Sequence, residues 1–341
     1  MRAIVLVGGE GTRLRPLTLT RPKPMLPVGG IPMIARKLAH LAEHGITEAV
    51  LSLGYKPDAF RMAFPEGHVC GVRLHYAVEP TPLDTAGAIR FAAFVAGFLD
   101  GENDEPIVAV NGDVLTTLDL SAQVSFHQSK RARATIALTQ VEDPSAFGVV
   151  PCDPDGRVID FVEKPSREEA PTDWINGGTY VLERSVIAGI APDTRVSIER
   201  VVFPQLVEEG SLFAIRSSEP WIDAGIPSTY LQANLDSIED PDTARGSASV
   251  VGLIDAAASV DPTAVVERSV IGAGCVIGRA VVRRSVLLGN VTVADGCVIE
   301  DSMLGEGSTI AADCMLSALT VIGDAAVVEA GSVFVGVRHP G

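Results

Sequence analysis

The sequence predicts an α/β fold of two parts, a mostly parallel sheet flanked by helices and then a β-helix. Three observations carry that reading. From residue 1 to about 235, apolar strand-like runs alternate with helical patterns. A polar stretch without that rhythm follows at 236–250, and beyond it aliphatic residues return at every sixth position. With 341 residues, 47% of them hydrophobic, the chain is long enough to bury a core in each part.

Residues 2–7 read as a strand, 32–43 as an amphipathic helix ended by Gly45, and 48–53 as the next strand. The cycle repeats with a strand at 72–78, a helix at 85–98 and a strand at 107–110. Such alternation implies parallel strands with helices on both faces. In these sheets ligands bind beyond the carboxyl ends of the strands. Here those ends carry a glycine loop, Glu79 and Asn111-Gly112-Asp113.

The stretch DSIEDPDTARGSASV at 236–250 holds Pro241 and Gly246 and reads as a linker, which divides the chain into domains at 1–235 and 251–341. In the second domain Ile271, Ile277, Val282, Leu288, Val293, Ile299, Leu304, Ile310, Leu316, Ile322, Val328 and Phe334 follow at steps of six, occasionally five. A hexapeptide period means a β-helix whose coils turn aliphatic residues inward, each coil burying its neighbour. An ordinary antiparallel sheet would instead alternate at every second residue. The apolar tail SVFVGV at 332–337 is expected to cover the open end of the coils, and the repeat predicts a homo-oligomer.

Composition removes several functional classes. With 43 acidic against 27 basic residues and a net charge of -16, the chain is ill suited to nucleic acid or an anionic membrane as its main partner. No apolar run approaches the ~20 residues needed to cross a bilayer, and 3–7 is too short for the core of a signal peptide. A cytoplasmic, soluble protein is expected. Cys70, Cys152, Cys275, Cys297 and Cys314 are widely spaced without a CxxC pair, which predicts small buried thiols. The six histidines show no metal-ligand or triad-like spacing.

Against this acidic background, residues 11–24 hold Arg13, Arg15, Arg21 and Lys23 and no acid at all. Strand, glycine-rich turn, then basic residues is an arrangement for binding phosphate: small residues let backbone N–H groups approach the anion, and arginine adds paired donors. The loop lacks the Gly-Lys-Ser/Thr of a Walker A sequence, and Leu14 stands where GxGxxG would have its third glycine.

GGEGTRLRPLT followed by PKPMLPV resembles the signature of the sugar-1-phosphate nucleotidyltransferases, or NDP-sugar pyrophosphorylases. Further matches follow in the order of that family: EPTPLDTAG from Glu79, NGD from Asn111, FGVV from Phe147, FVEKP from Phe161, INGGTYV from Ile175 and WIDAG from Trp221. The resemblance covers 1–235 and is nearest to the GDP-mannose pyrophosphorylases. It implies a Rossmann-like nucleotidyltransferase sheet followed by a left-handed parallel β-helix of hexapeptide repeats.

The resemblance also implies a reaction in which a sugar 1-phosphate attacks the α-phosphorus of a nucleoside triphosphate and pyrophosphate leaves. That nucleophile is already an anion, so charge neutralisation and in-line positioning matter more than a base. By resemblance Leu6, Gly8, Gly9, Gly11 and Thr12 cradle the nucleotide, with Glu79, Asp84 and Gly112 also on it. Arg13 binds the triphosphate and the departing pyrophosphate, and Lys23 neutralises the phosphates. Asp113 and Asp223 hold Mg²⁺, a hard cation that suits carboxylates and phosphate oxygens. Glu163 binds sugar hydroxyls and Lys164 the sugar phosphate, while Gly148, Asn176 and Gly177 line the sugar pocket.

Base and sugar are less constrained. Guanine offers two adjacent donors, which suits a carboxylate such as Glu79 and favours GTP with mannose 1-phosphate. The family, however, usually reads PLGTAG where this chain has PLDTAG, so Asp84 replaces a glycine in a loop near the base. Asp adopts unusual backbone angles more readily than most residues. Reactions of dTTP or ATP with glucose 1-phosphate or a cyclitol phosphate stay open, as does a non-catalytic sensor of sugar nucleotides. An acyltransferase site on the β-helix is disfavoured, because no histidine occurs between His127 and His339.

Overall fold

The apolar runs at the N-terminus become neighbouring parallel strands because both faces of each are covered, which makes a continuous hydrophobic run favourable. In chain order the main elements are β1 (Arg2–Leu6), α1 (Met33–Glu43), β2 (Glu48–Leu53), β3 (Val72–Val78), α2 (Asp84–Val95) and β4 (Ile107–Asn111), then α3 (Leu120–Lys130), β5 (Ala134–Gln140), β6 (Trp174–Leu182) and α4 (Pro227–Asp236). The computed structural model describes residues 1–101, 105–238 and 252–340. By contacts these form two units, Met1–Gly9 with Ile34–Trp221, and Glu10–Met33 with Ile222–Gly341.

In the first unit the sheet runs β6, β4, β1, β2, β3, with β1 parallel to both β2 and β4 and β6 antiparallel to β4. Beyond β6, Gly148–Val149 and Val162–Glu163 add an antiparallel edge, and β5 also pairs with β6. Leu6 stands in register with Ser52 on one side and Asn111 on the other, so three strand ends finish level. The core beneath them includes Ile4, Val50, Ala77, Ile89, Ala109, Tyr180 and Phe203, all at most 1% exposed. Helix α2 stops at Val95, short of the expected 98, because Gly97 turns left-handed at φ 68° two residues later.

The second unit contains the β-helix. Its short strands stack in three parallel sheets, of six, five and five strands, one per face. Registers such as Ile271↔Leu287, Leu287↔Leu304 and Leu304↔Ile322 show coils of unequal length, which is where the five-residue steps fall. The sequence pattern placed Leu288 in the inward ladder; the register gives that position to Leu287, which joins the interior cluster at 0% exposure. At one corner Ser269, Ser285 and Ser302 form a ladder in which each hydroxyl accepts from the backbone N–H of the next, at 3.1 Å in both steps.

Three further expectations need correction or closer bounds. Val333–Val335 continues the third face in register with Met315–Ser317, so the tail extends the stack as another strand and does not lie across its end. Cys275, Cys297 and Cys314 are buried as expected, but Cys152 is only partly covered and Cys70 is exposed in the turn between His68–Val69 and β3. The linker expected at 236–250 lies outside the described residues from 239 onward. Among the described residues no helix is long and apolar enough to cross a membrane.

Candidate active site

Where β1 ends, glycine allows backbones to meet. A Cβ on Gly8 would stand 3.3 Å from Glu79 Oε1, and one on Gly54 would stand 2.8 Å from the Gly8 carbonyl. Gly112 donates its N–H to the Leu6 carbonyl at 2.9 Å, and a Cβ there would meet Val7 Cγ1 at 2.4 Å. These glycines let Leu6, Gly8, Gly9, Glu79 and Gly112 gather at the level strand ends of the first unit. The Glu79 carboxylate is held on both oxygens: Ser52 Oγ donates to Oε1 and the Leu83 N–H to Oε2, each at 3.0 Å. It therefore fixes the turn that leads into α2.

Asp84 opens α2 in the left-handed region, at φ 61°. The conformation that a glycine adopts freely is thus kept by an aspartate, whose Oδ1 accepts from the Thr85 N–H at 2.9 Å. Arg195 Nε lies 3.6 Å from the other oxygen.

Asp113 follows Gly112 in the turn after β4 and does not cap a helix, whereas Asp119 caps α3, accepting from the Ala122 N–H at 2.9 Å. The residue that sequence reasoning missed in this region is Lys37. It sits on α1 at 3% exposure, and burial pulls its ammonium down to about 8 against the opposing pull of the Asp113 charge. Nothing in the pattern of α1 distinguishes it, since a lysine on an amphipathic helix is expected in solvent. His40, one turn further along α1, is driven to about 4 by burial and by the Lys37 charge, and its ring contacts the Leu118 carbonyl at 2.9 Å.

The residues expected at the sugar also lie in the first unit. A Cβ on Gly148 would press to 2.6 Å from the Phe161 ring and 3.1 Å from Glu163 Oε2, so the edge strands approach only because that residue is glycine. Glu163 is half-buried, and Lys164, at φ 52°, reaches it with Nζ at 3.5 Å. β6 shifts register against β5 between Asn176 and Tyr180, an irregularity of the kind that re-aims side chains. Asn176 fixes it, donating to the Tyr180 hydroxyl and accepting from the Gly178 N–H, each at 2.9 Å. The Gly177 carbonyl accepts from Trp221 Nε1 at 2.9 Å.

The remaining site residues belong to the second unit. Gly11 is left-handed at φ 64°, and a Cβ on it would strike Lys23 Cβ at 2.9 Å. That close approach, with Thr18 Oγ1 donating to the Gly11 carbonyl at 2.8 Å, folds the loop back on itself. Thr12–Leu14 then forms one 3-10 turn and Lys23–Met25 another. Lys23 Nζ lies 3.2 Å from Asp223 Oδ1, and Arg13 approaches Oδ2 at 4.0 Å. The side chain of Lys23 is 6% exposed and that of Arg13 65%, so the lysine is a fixed charge and the arginine is open to a ligand. Gly225 is a second residue not foreseen individually: a Cβ there would fall 2.7 Å from Asp223 Oδ1, 2.8 Å from Arg13 and 3.1 Å from Lys23 Nζ. Its signal lay in WIDAG, whose final glycine lets the three charged side-chain ends approach the backbone closely.

The acid-free stretch is therefore not a uniform phosphate trap. Arg15 pairs with Glu10 at 3.0 Å, and Arg21 is bound by Glu306 and Asp324 at 2.6 and 2.9 Å. Arg13 and Lys23 are the members gathered at Asp223. For a divalent cation the donors available are hard carboxylates, and among the described residues no group of three or more His, Cys, Asp or Glu forms a metal cage. One or two carboxylates completed by substrate phosphates is the donor set that suits Mg²⁺, and Asp113 in the first unit and Asp223 in the second are each of that kind.

Comparison with known proteins agrees with this chemistry. Residues 2–240 match the nucleotidyl transferase family and residues 250–338 the GMPPB C-terminal domain. A mannose-1-phosphate guanylyltransferase from Mycobacterium tuberculosis is 41% identical over 304 residues, covering 87% of this chain and 82% of its own. A mannose-1-phosphate guanyltransferase from Schizosaccharomyces pombe is 34% identical, covering 96% of this chain and 92% of its own. Among solved structures, a Bacillus anthracis protein in complex with sucrose superposes with a TM-score of 0.61 at 26% identity, over 69% of this chain and 94% of its own. By these matches, and by the motifs that carry its site, the chain belongs to the nucleotidyl transferase family.

Proposed function

We propose that this protein joins mannose 1-phosphate to GTP, giving GDP-mannose and pyrophosphate. The observation that carries the reading is the cluster of Arg13, Lys23 and Asp223 packed against Gly225, in a chain whose relatives bear the mannose-1-phosphate guanylyltransferase name. In the reaction a phosphate oxygen of the sugar 1-phosphate forms a bond to the α-phosphorus of the nucleotide. The bond from that phosphorus to the bridging oxygen breaks, and pyrophosphate leaves with the electron pair. No proton has to be removed from the attacking oxygen, which is ionised at neutral pH.

The chain's own work is placement and charge. Arg13, exposed and forked, is assigned to the triphosphate and to the leaving pyrophosphate. Lys23, buried and held by Asp223, is a charge that need not reorganise as negative charge develops. The backbone at Leu6, Gly8, Gly9, Gly11 and Thr12, together with Gly112, is assigned to the nucleotide. Glu79 is assigned to the base, where its two oxygens keep further lone pairs for guanine donors. Gly148, Glu163, Lys164, Asn176 and Gly177 are assigned to the sugar phosphate. Mg²⁺, held through Asp113 and Asp223, would supply charge neutralisation to the phosphate oxygens.

The test is pyrophosphate release with Mg²⁺ across GTP, dTTP, ATP, UTP and CTP, each against mannose and glucose 1-phosphates. GTP with mannose 1-phosphate is expected to lead. Arg13→Ala is expected to lower kcat by at least about 100-fold, the cost of removing one preorganised charge donor, with the melting temperature unchanged. Activity confined to another pair overturns the substrate assignment, and undiminished turnover by Arg13→Ala overturns the site.

A further inference from the structure

Within the second unit, the loop that carries Arg13 and Lys23 is tied to the last coils of the β-helix at one spot. Arg21 donates through one terminal nitrogen to Glu306 Oε2 at 2.6 Å and to Asp324 Oδ2 at 2.9 Å. Thr20 Oγ1 donates to the same Asp324 oxygen. The other oxygen, Oδ1, accepts from the Glu306 N–H at 2.8 Å, so the carboxylate joins two coils and the loop. Beside it a Cβ on Gly323 would stand 3.1 Å from Pro16 Cβ, so the loop rests directly on the turn of the coil.

This spot departs from the repeat. The registers Ile271↔Leu287, Leu287↔Leu304 and Leu304↔Ile322 place Ala273, Gly289, Glu306 and Asp324 at one turn position in successive coils. Of these four, the acids occur only in the two coils that meet the loop. Exposed ion pairs contribute little, but the Arg21 and Asp324 side chains are 23% and 9% exposed, and two further hydrogen bonds hold the carboxylate. Burial alone would lower the Arg21 pKa; the Glu306 hydrogen bond and the Asp324 charge outweigh it and raise the value. Arg21 thus acts as a permanently charged anchor two residues before Lys23.

We propose that Glu306 and Asp324 are positioning residues for the transfer reaction: by holding Thr20 and Arg21 they fix the loop that presents Arg13 and Lys23. The proposal rests on the reaction assigned above. It makes the β-helix part of the catalytic apparatus, although it contributes no group that touches substrate.

The test uses the full-length protein with Asp324→Ala and Asp324→Asn, measuring steady-state kinetics, the melting temperature and amide hydrogen exchange over residues 10–25. Asp324→Ala is expected to lower kcat about 10-fold, as for a small misplacement of catalytic groups. KM for the sugar 1-phosphate should move less than about twofold, and exchange in the loop should rise. Asp324→Asn, which keeps one acceptor for the Glu306 N–H and turns an amide N–H toward the Thr20 hydroxyl, should recover part of the loss.

A lower melting temperature with kcat and loop exchange unchanged is what a merely structural role gives, and it overturns the proposal. If Asp324→Ala does not fold, Glu306→Gln at the more exposed partner asks the same question; a fall of about threefold in kcat supports the proposal and unchanged kcat refutes it. Wild-type protein that releases no pyrophosphate with any pair sinks the reaction and leaves loop exchange to judge the clamp. Wild-type turnover with an unaltered Asp324→Ala variant sinks the clamp alone.

Discussion

The sheet and the β-helix mark their chemistry in opposite ways. In the sheet unit the important positions are places where side chains are missing: Gly54, Gly112 and Gly148 let strands approach to distances a Cβ would forbid, and at Gly8 a Cβ would crowd the Glu79 carboxylate. In the β-helix glycine recurs as part of the repeat, and the informative positions are those where a charged residue interrupts it, Glu306 and Asp324. An irregular sheet reveals function by close approach, and a periodic stack reveals it by exception. The same divide runs through the acid-free loop, where Arg13 is left open and Arg21 is consumed by the stack.

The largest effect should come from breaking the periodic region where it is most regular. Leu304→Ala, at a position 0% exposed between Leu287 and Ile322, is expected to cost about 3 kcal/mol, because coils relax poorly around a cavity they share. Chemical denaturation measures this, and a cost under about 1 kcal/mol would mean that the coils do not act as one stack.

The next effect tests close approach in the loop cluster. In Gly225→Ala the nearest atoms to the new methyl group are side-chain ends, those of Asp223, Arg13 and Lys23, and not backbone. Stability should hold while kcat falls about 10-fold, through displacement of those ends. Unchanged kcat with an intact fold would show that the close approach at Gly225 does not set the placement of Arg13 and Lys23.

The smallest effect concerns Asp84. Since its left-handed backbone is what the site keeps, Asp84→Gly should shift stability by less than about 0.5 kcal/mol while Asp84→Ala costs about 1 kcal/mol, read from thermal melts. Equal costs would place the importance in the carboxylate and not in the backbone angle.

Much of this was legible in the chain itself. The strands at 2–6, 48–53 and 72–78 announce themselves as apolar runs between turn residues, and the six-residue period defines the stack. The off-by-one at Leu287 arose because five-residue steps shorten a coil without changing residue type, so two adjacent leucines fit the pattern equally well. WIDAG and the glycine loop were readable because they concentrate unusual residues in a short span.

Lys37 was not readable, because helical periodicity places a lysine in solvent by default and only packing reveals otherwise. The partners of Arg21 were unreadable for a different reason. They lie 285 and 303 residues away in sequence, and each looks like a solvated turn residue of its own coil. Local pattern carries elements and motifs well; pairings over that separation are decided by how distant segments pack within one unit.

The path of the chain has an evolutionary consequence. It leaves the sheet after Gly9, returns at Ile34 and departs again after Trp221, so the catalytic loop and the β-helix share a unit despite their distance in sequence. A β-helix joined this way is not an interchangeable cassette. Exchanging it for that of a relative would require the new stack to bring acids matching Thr20 and Arg21, or the loop to change with it. Substitutions at 20–21 and at 306 and 324 are therefore expected to be inherited together, as one trait written in two distant places.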